Sequence, residues 1–215
     1  MILESFKNRF NIMKSNNCHV QYVLDIGAYR GDFTETVRSV WPTAIVRQIE
    51  ADERQQPWLE KTAIIALLGD KDNEEVDYYT LDDGKITTGS SIYKELTPHY
   101  NTNTTVVIKK TMTTVDSLNR KYNFYGNWRE LGLVKIDTQG SELIILDGAS
   151  EFLKSKTPKY ILLECSVQQY NQGAPNFAKI IDKLSSLLYT VKDIFDISYD
   201  NRGNLLQLDI LFERT

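Results

Sequence analysis

The sequence predicts a doubly wound α/β fold: a seven-stranded, mostly parallel sheet with helices on both faces, an antiparallel final strand and a β-rich insertion. Three observations carry that prediction. Short apolar runs alternate with helix-period segments over residues 22–68 and again over residues 115–163. A glycine-bearing turn joins the first run to the helix that follows it. The last two strand-like runs flank the turn Asp200, Asn201, Arg202, Gly203 and Asn204, and so close the chain as a hairpin.

Taken in order, Ile2, Leu3, Phe6, Phe10 and Met13 recur at three- and four-residue intervals, which predicts an amphipathic opening helix within residues 1–17, packed on its own domain. Residues 22–26 read as a strand and residues 32–40 as a helix ending before Trp41 and Pro42. A second unit repeats the pattern: strand 44–49, helix 52–61 and strand 63–68. The rhythm then stops, and over residues 71–112 two strands, 76–81 and 105–112, flank the Gly/Ser/Thr-rich segment 84–91, which makes a β-rich insertion. It resumes with helix 115–122, strand 133–136, helix 141–146, strand 160–163 and helix 177–188, before strands 190–197 and 205–212. With no repeat or low-complexity linker, residues 1–215 read as one domain.

Composition narrows the function classes. The chain is 41% hydrophobic and 25% charged, enough to bury a substantial core. Its net charge of −4 gives no general attraction for polyanions, and the basic clusters Lys109 with Lys110 and Lys154, Lys156 with Lys159 read as solvated surface, so no nucleic-acid partner is expected. Cys18 and Cys165 form no disulfide framework, which suits a reducing cytoplasm. With His19 and His99 the only histidines, no zinc spacing exists and no metal is motivated. The first residues carry Glu4, Lys7 and Arg9, and the longest apolar run is 63–68, so neither a signal peptide nor a membrane span is read, and the expected location is cytoplasmic.

The first turn, Asp25, Ile26, Gly27, Ala28, Tyr29, Arg30 and Gly31, stands where open α/β sheets bind ligands, with Asp32 expected to cap the helix. A dinucleotide site wants a second glycine where this chain has Tyr29, whose side chain would obstruct a pyrophosphate. The phosphate-cradling lysine loop is absent as well. A ligand without phosphates fits better. S-adenosylmethionine needs a close turn for its amino-acid end and an acid at the tip of the second strand for its ribose hydroxyls, and Glu50 ends that strand.

These motifs extend into a resemblance. VLDIGAYRGDFT at residues 23–34 and LVKIDTQGSELIILDGA at residues 133–149 resemble the two leading motifs of the FkbM family of methyltransferases. Residues 67–80, GSSI at 89–92, TTVDSL at 113–118 and YILLECS at 160–166 extend the likeness over nearly the whole core. The resemblance implies a Rossmann-like class I methyltransferase fold, S-adenosylmethionine as cofactor, and methyl transfer, often to a hydroxyl of a sugar or related compound. Carried onto this chain, Asp25, Gly27, Ala28, Tyr29 and Gly31 would hold the methionine end, Glu50 the ribose, and the strand end at Asp70 the adenine region, although Asp70 equally reads as a surface turn.

Methyl transfer from a sulfonium is an in-line displacement, so positioning comes first and a group to take the hydroxyl proton second. Asp137, at the end of the fourth strand, is the first candidate for that group and a neighbour of the cofactor. Glu164, ending the fifth strand, faces the same sheet edge; catalysis, substrate binding and a buried ion pair are all compatible with it. Gln139 is a candidate contact to cofactor or substrate, and Ser90 and Ser91 are substrate candidates through the family's serine pair. Ser141 and Glu142 read as helix-start residues. The expected reaction is O-methylation of a small molecule or glycan. Two alternatives are N-methylation, weakened because Asp137, Thr138, Gln139 and Gly140 depart from the Asn/Asp-Pro-Pro-Tyr/Phe turn of amide and base methyltransferases, and a non-catalytic cofactor-binding or assembly module.

Overall fold

A computed structural model describes residues 2–81, 89–96, 100 and 104–215. The first half of the chain forms α1 (Glu4–Ser15), β1 (Tyr22–Ile26), α2 (Asp32–Val40), β2 (Ile45–Glu50), a 3-10 turn (Glu53–Trp58), β3 (Ile64–Ile65), β4 (Leu67–Leu68), β5 (Glu75–Leu81) and β6 (Thr105–Thr113). The second half forms α3 (Val115–Tyr122), α4 (Trp128–Leu131), β7 (Gly132–Ile136), α5 (Glu142–Asp147), α6 (Ser150–Lys156), β8 (Tyr160–Ser166), α7 (Phe177–Ser186), β9 (Tyr189–Tyr199) and β10 (Leu205–Arg214).

As the sequence predicts, seven strands make one sheet, in the order β3-β2-β1-β7-β8-β10-β9. All run parallel except β10, the last, which is antiparallel to both of its neighbours. Because successive side chains point to opposite faces, each buried strand feeds two cores. On one face Val23, Val46, Leu133 and Leu162 meet Phe10 of α1 and Phe33 and Val37 of α2. On the other, Leu24, Ile49, Val134 and Ile161 meet Leu118, Ile145, Phe152 and Ile180 of the later helices. From β1 the chain lays β2 and β3 to one side, then β7 and β8 to the other, so the loops leaving β1 and β7 part at the carboxyl edge and open a crevice.

Four elements depart from expectation. The strand foreseen at 63–68 divides at Ala66, whose N–H donates to Glu50 O at 2.8 Å; β3 stays with β2, while β4 leaves to pair in parallel with β6. With the antiparallel β5–β6 hairpin it forms a second sheet, β4-β6-β5, which is the foreseen β-rich insertion. The helix foreseen at 52–61 is instead the short 3-10 segment Glu53–Trp58: Asp52 caps it by accepting from Arg54 N, and Pro57 has no N–H with which to continue an α-helix. The short helices α4 and α6 have no counterpart among the elements read from the sequence. Residues 84–88 of the segment foreseen at 84–91, and His99, lie outside the described residues. Among the described residues no helix is long and apolar enough to cross a membrane.

Candidate cofactor and acceptor site

The turn after β1 holds three left-handed residues within five: Gly27 at φ +73°, Tyr29 at +47° and Gly31 at +81°. Gly27 is required by contact as well as by angle, since a Cβ there would stand 1.9 Å from the carbonyl oxygen of Asp137. Tyr29 carries a side chain in that strained region, and its N–H is fixed by donation to Glu50 Oε2 at 2.8 Å. Gly31 occupies the helix cap, so Asp32, foreseen as the cap, is instead the first residue of α2, its negative charge at the positive end of the helix.

Beneath the turn, Gln48, Asp25 and Lys135 are register partners on β2, β1 and β7. Asp25 is fully buried; its Oδ2 accepts from Thr34 Oγ1 at 2.8 Å, while Oδ1 has no hydrogen bond among the described residues and faces Lys135 Nζ at 3.5 Å. That ammonium donates to Gly27 O at 2.6 Å and lies 3.4 Å from Asp137 Oδ2. Burial works against the Lys135 charge, yet Asp137, Asp25 and Glu50 outweigh it and hold its pKa above the ordinary lysine value. Burial raises Asp25, opposed chiefly by Lys135. It raises Glu50 too, opposed by the backbone N–H groups of Asp52 and Tyr29.

A cavity of about 280 Å3 fills the crevice between the loops leaving β1 and β7. Of the residues assigned from sequence, Gly27, Ala28 and Tyr29 line it from the first turn and Glu50 from the tip of β2. Asp137 and Gln139 line it from the loop after β7, and Ser90 and Ser91 from the insertion. Asp25, Gly31 and Glu164 lie outside the lining. Asp70 is exposed beyond it, because β4 turns away to join β6 and leaves Leu67 and Leu68 as the wall.

The loop after β7 is shaped by Glu142, whose Oε1 accepts from Thr138 N at 2.9 Å, Thr138 Oγ1 at 3.1 Å and Gly140 N at 3.2 Å. Ser141, expected to cap α5, makes no side-chain cap bond. Gln139 sits at φ +57° and donates through Nε2 to Glu164 Oε2 at 2.9 Å, while its carbonyl accepts from Ser91 Oγ, also at 2.9 Å. Burial, then Asp137, Asp209 and Glu142, push the Glu164 carboxyl well above the usual range. Asp137 differs from Asp25 in access: its side chain is 38% exposed, against 0% for Asp25.

The sequence reading missed five contributors. Lys135 stands inside a fully buried strand, and the signal for it was there: a lysine within an apolar parallel run needs a buried counter-charge. Glu142 resembles any acidic first-turn residue until the loop folds over it. Arg54 donates to Thr80 Oγ1 at 2.5 Å and to Leu81 O at 3.0 Å, tying the insertion to the 3-10 turn. Leu3 and Phe6 place the opening helix in the cavity wall. Among the described residues no group of three or more His, Cys, Asp or Glu is arranged to hold a metal.

The donor set fits S-adenosylmethionine. Glu50 uses two of its four acceptor positions on Asp52 N and Tyr29 N and keeps two for a diol. The wall carries Asp32, Glu50, Asp52 and Asp137 against the single ammonium of Lys135 among the lining residues, a balance that favours a cation.

The chain matches the family model described as the Methyltransferase FkbM domain over residues 25–191. Among solved structures it is similar to the methyltransferase FkbM from Methylobacillus flagellatus KT, at 14% identity and a TM-score of 0.48, covering 88% of this chain and 43% of that one. It is also similar to precorrin-6y C5,15-methyltransferase from Geobacter metallireducens GS-15, at 11% identity and 0.47, covering 92% and 81% of the two chains. A third is magnesium protoporphyrin IX methyltransferase from Synechocystis PCC 6803 with bound S-adenosylmethionine, at 11% identity and 0.46, covering 98% and 80%. The chain thus spans less than half the length of the Methylobacillus protein. No curated protein matches it.

Proposed function

We propose, for a chain that belongs to the FkbM methyltransferase family, the transfer of a methyl group from S-adenosylmethionine to a hydroxyl of a sugar or related small molecule. The bound cofactor supplies a methyl group on a positively charged sulfur. Every other requirement falls on the protein.

Glu50 holds the ribose diol through its remaining acceptor positions, and the turn at residues 27–31 takes the methionine end, with Asp25 beneath it. Leu67 and Leu68 give the adenine an apolar wall. Asp137 receives the proton that a hydroxyl gives up on methylation. The observation that carries this reading is the exposure of the Asp137 carboxylate on the cavity wall, beside a second carboxylate that is sealed. Gln139, fixed through its Nε2 on Glu164, keeps its side-chain carbonyl for the acceptor, and Ser90 shares a hydrogen bond with Thr80 at the same wall. Glu164, its carboxyl pushed well above the usual range by burial and by the acids around it, orients Gln139 by accepting from its Nε2. An acidic rim and a net charge of −4 favour an uncharged acceptor over a nucleic acid.

Calorimetric titration with S-adenosylmethionine, followed by a screen of sugar acceptors, tests the reading. Glu50→Ala is expected to weaken cofactor affinity by about tenfold or more through loss of charge-assisted hydrogen bonds. Asp137→Asn is expected to keep the cofactor and lose on the order of 100-fold or more in methyl transfer. Wild-type turnover by Asp137→Asn, or methylation of amines alone, would overturn it.

A further inference from the structure

The Lys135 ammonium touches both halves of the site. It donates to the carbonyl of Gly27 in the first turn at 2.6 Å, and it stands 3.4 Å from the carboxylate of Asp137 at the end of β7. Its third neighbour, at 3.5 Å, is Asp25 Oδ1, an oxygen without a hydrogen bond among the described residues. The Phe33 ring of α2 lies 5.7 Å from the same nitrogen. A side chain 8% exposed, set in a strand buried along its whole length, is not a solvated surface lysine. Carrying an ammonium into such a place is unfavourable unless acids are already there.

We propose that Lys135 is a positioning residue for methyl transfer, holding the Gly27 carbonyl and the Asp137 carboxylate in one arrangement so that a single buried cation sets both the cofactor turn and the acid at the reaction edge. This rests on the role of Asp137 given above. The groups acting on the site come from every strand around it: Asp25 from β1, Glu50 from β2, Asp137 after β7, Glu164 from β8 and Asp209 from β10. Without the ammonium, Asp25 and Asp137 face one another with nothing between them, and like charges so placed take up a proton more readily. The site then loses negative charge as pH falls, which weakens attraction for a sulfonium cation but not for the uncharged thioether that remains after transfer.

The test is calorimetric binding of S-adenosylmethionine and, separately, S-adenosylhomocysteine to the full chain between about pH 8 and about pH 6. For Lys135→Met, S-adenosylmethionine affinity is expected to fall with decreasing pH by about tenfold more than in the wild type, while S-adenosylhomocysteine affinity, lowered overall, shows no added slope. A merely structural lysine would weaken both ligands alike at every pH, and that result, or unchanged binding of both, overturns the proposal. Should Lys135→Met fail to fold, Lys135→Gln removes the cation but keeps an N–H for the Gly27 carbonyl, and it leaves Asp25 and Asp137 facing one another. The added slope is expected there too, and its absence is equally decisive. Turnover plays no part in these readings, so failure to methylate an alcohol and failure of the Lys135 role are told apart.

Discussion

Asp209 on β10 has an acid in register on either side, Glu164 on β8 and Asp196 on β9. Burial first, then Asp137 and Asp196, push its carboxyl up to about 7. An acid whose folded pKa lies above its unfolded value of about 3.9 binds more protons in the folded chain across that interval, so its contribution to stability falls as pH rises through it. Asp209→Asn keeps the shape and removes the charge. It is expected to stabilise the protein by up to about 4 kcal/mol at about pH 8 and by roughly nothing at about pH 4, measured by thermal unfolding at each pH. An equal effect at both would show that packing, not charge, sets the cost. Residues such as these mark the limit of sequence reading at this scale. Asp25, Gly27 and Tyr29 were legible because one short turn holds them, and Glu50 because it ends the neighbouring strand. Lys135, Glu142 and Asp209 take their roles from partners on other strands or from a loop folded back over them, which no local pattern displays.

At the scale of elements, the apolar rhythm of the opening segment disclosed a helix but not what it covers. Phe10 of α1 packs edge-on against Phe33, Trp41 and Phe195, with centroids 5.9, 5.2 and 5.0 Å away, and is wholly buried. Phe6, one and a bit turns earlier, meets Phe33 and Phe195 and also lines the cavity. The two phenylalanines therefore separate anchoring from ligand contact. Phe10→Ala is expected to cost about 3–5 kcal/mol of stability and leave cofactor affinity of the folded protein unchanged. Phe6→Ala should cost less stability and weaken S-adenosylmethionine by roughly threefold to tenfold, since it removes part of the wall itself. Chemical denaturation paired with calorimetry distinguishes them, and equal affinities would remove α1 from the site. The same limit explains the 3-10 turn and the divided strand. Periodicity over 52–61 suggests a helix, but Pro57 withholds the N–H it needs; and the apolar run 63–68 gives no hint that Ala66 passes the chain from one sheet to another.

For the molecule as a whole, the sheet order puts the crevice between β1 and β7, while the insertion decides how far that crevice is closed. Among the ties that hold the insertion, which include Lys110 Nζ to Ala51 O and Asn171 Nδ2 to Tyr93 O, two stand on opposite sides of the cavity. Ser91 donates to Gln139 O at 2.9 Å on the β7 side. On the β2 side Arg54 binds Thr80 and Leu81, while Asp52 holds the guanidinium through both carboxylate oxygens and is thereby kept below the usual acid range despite burial. Bonds to a charged donor are worth about 1.5–3 kcal/mol each, so releasing one fastening shifts the insertion away from its docked position without unmaking either core. Arg54→Met is accordingly expected to weaken S-adenosylmethionine by roughly tenfold, through faster dissociation, with the unfolding temperature lowered by only a few degrees. Trp58, half-exposed at the end of the 3-10 turn with its ring 4.6 Å from the Arg30 guanidinium, provides the fluorescence by which stopped-flow mixing follows release. If dissociation is unchanged in the variant, the fastening at Arg54 serves the insertion alone, and the remaining ties, Ser91 to Gln139 O and Lys110 to Ala51 O among them, hold the cavity closed.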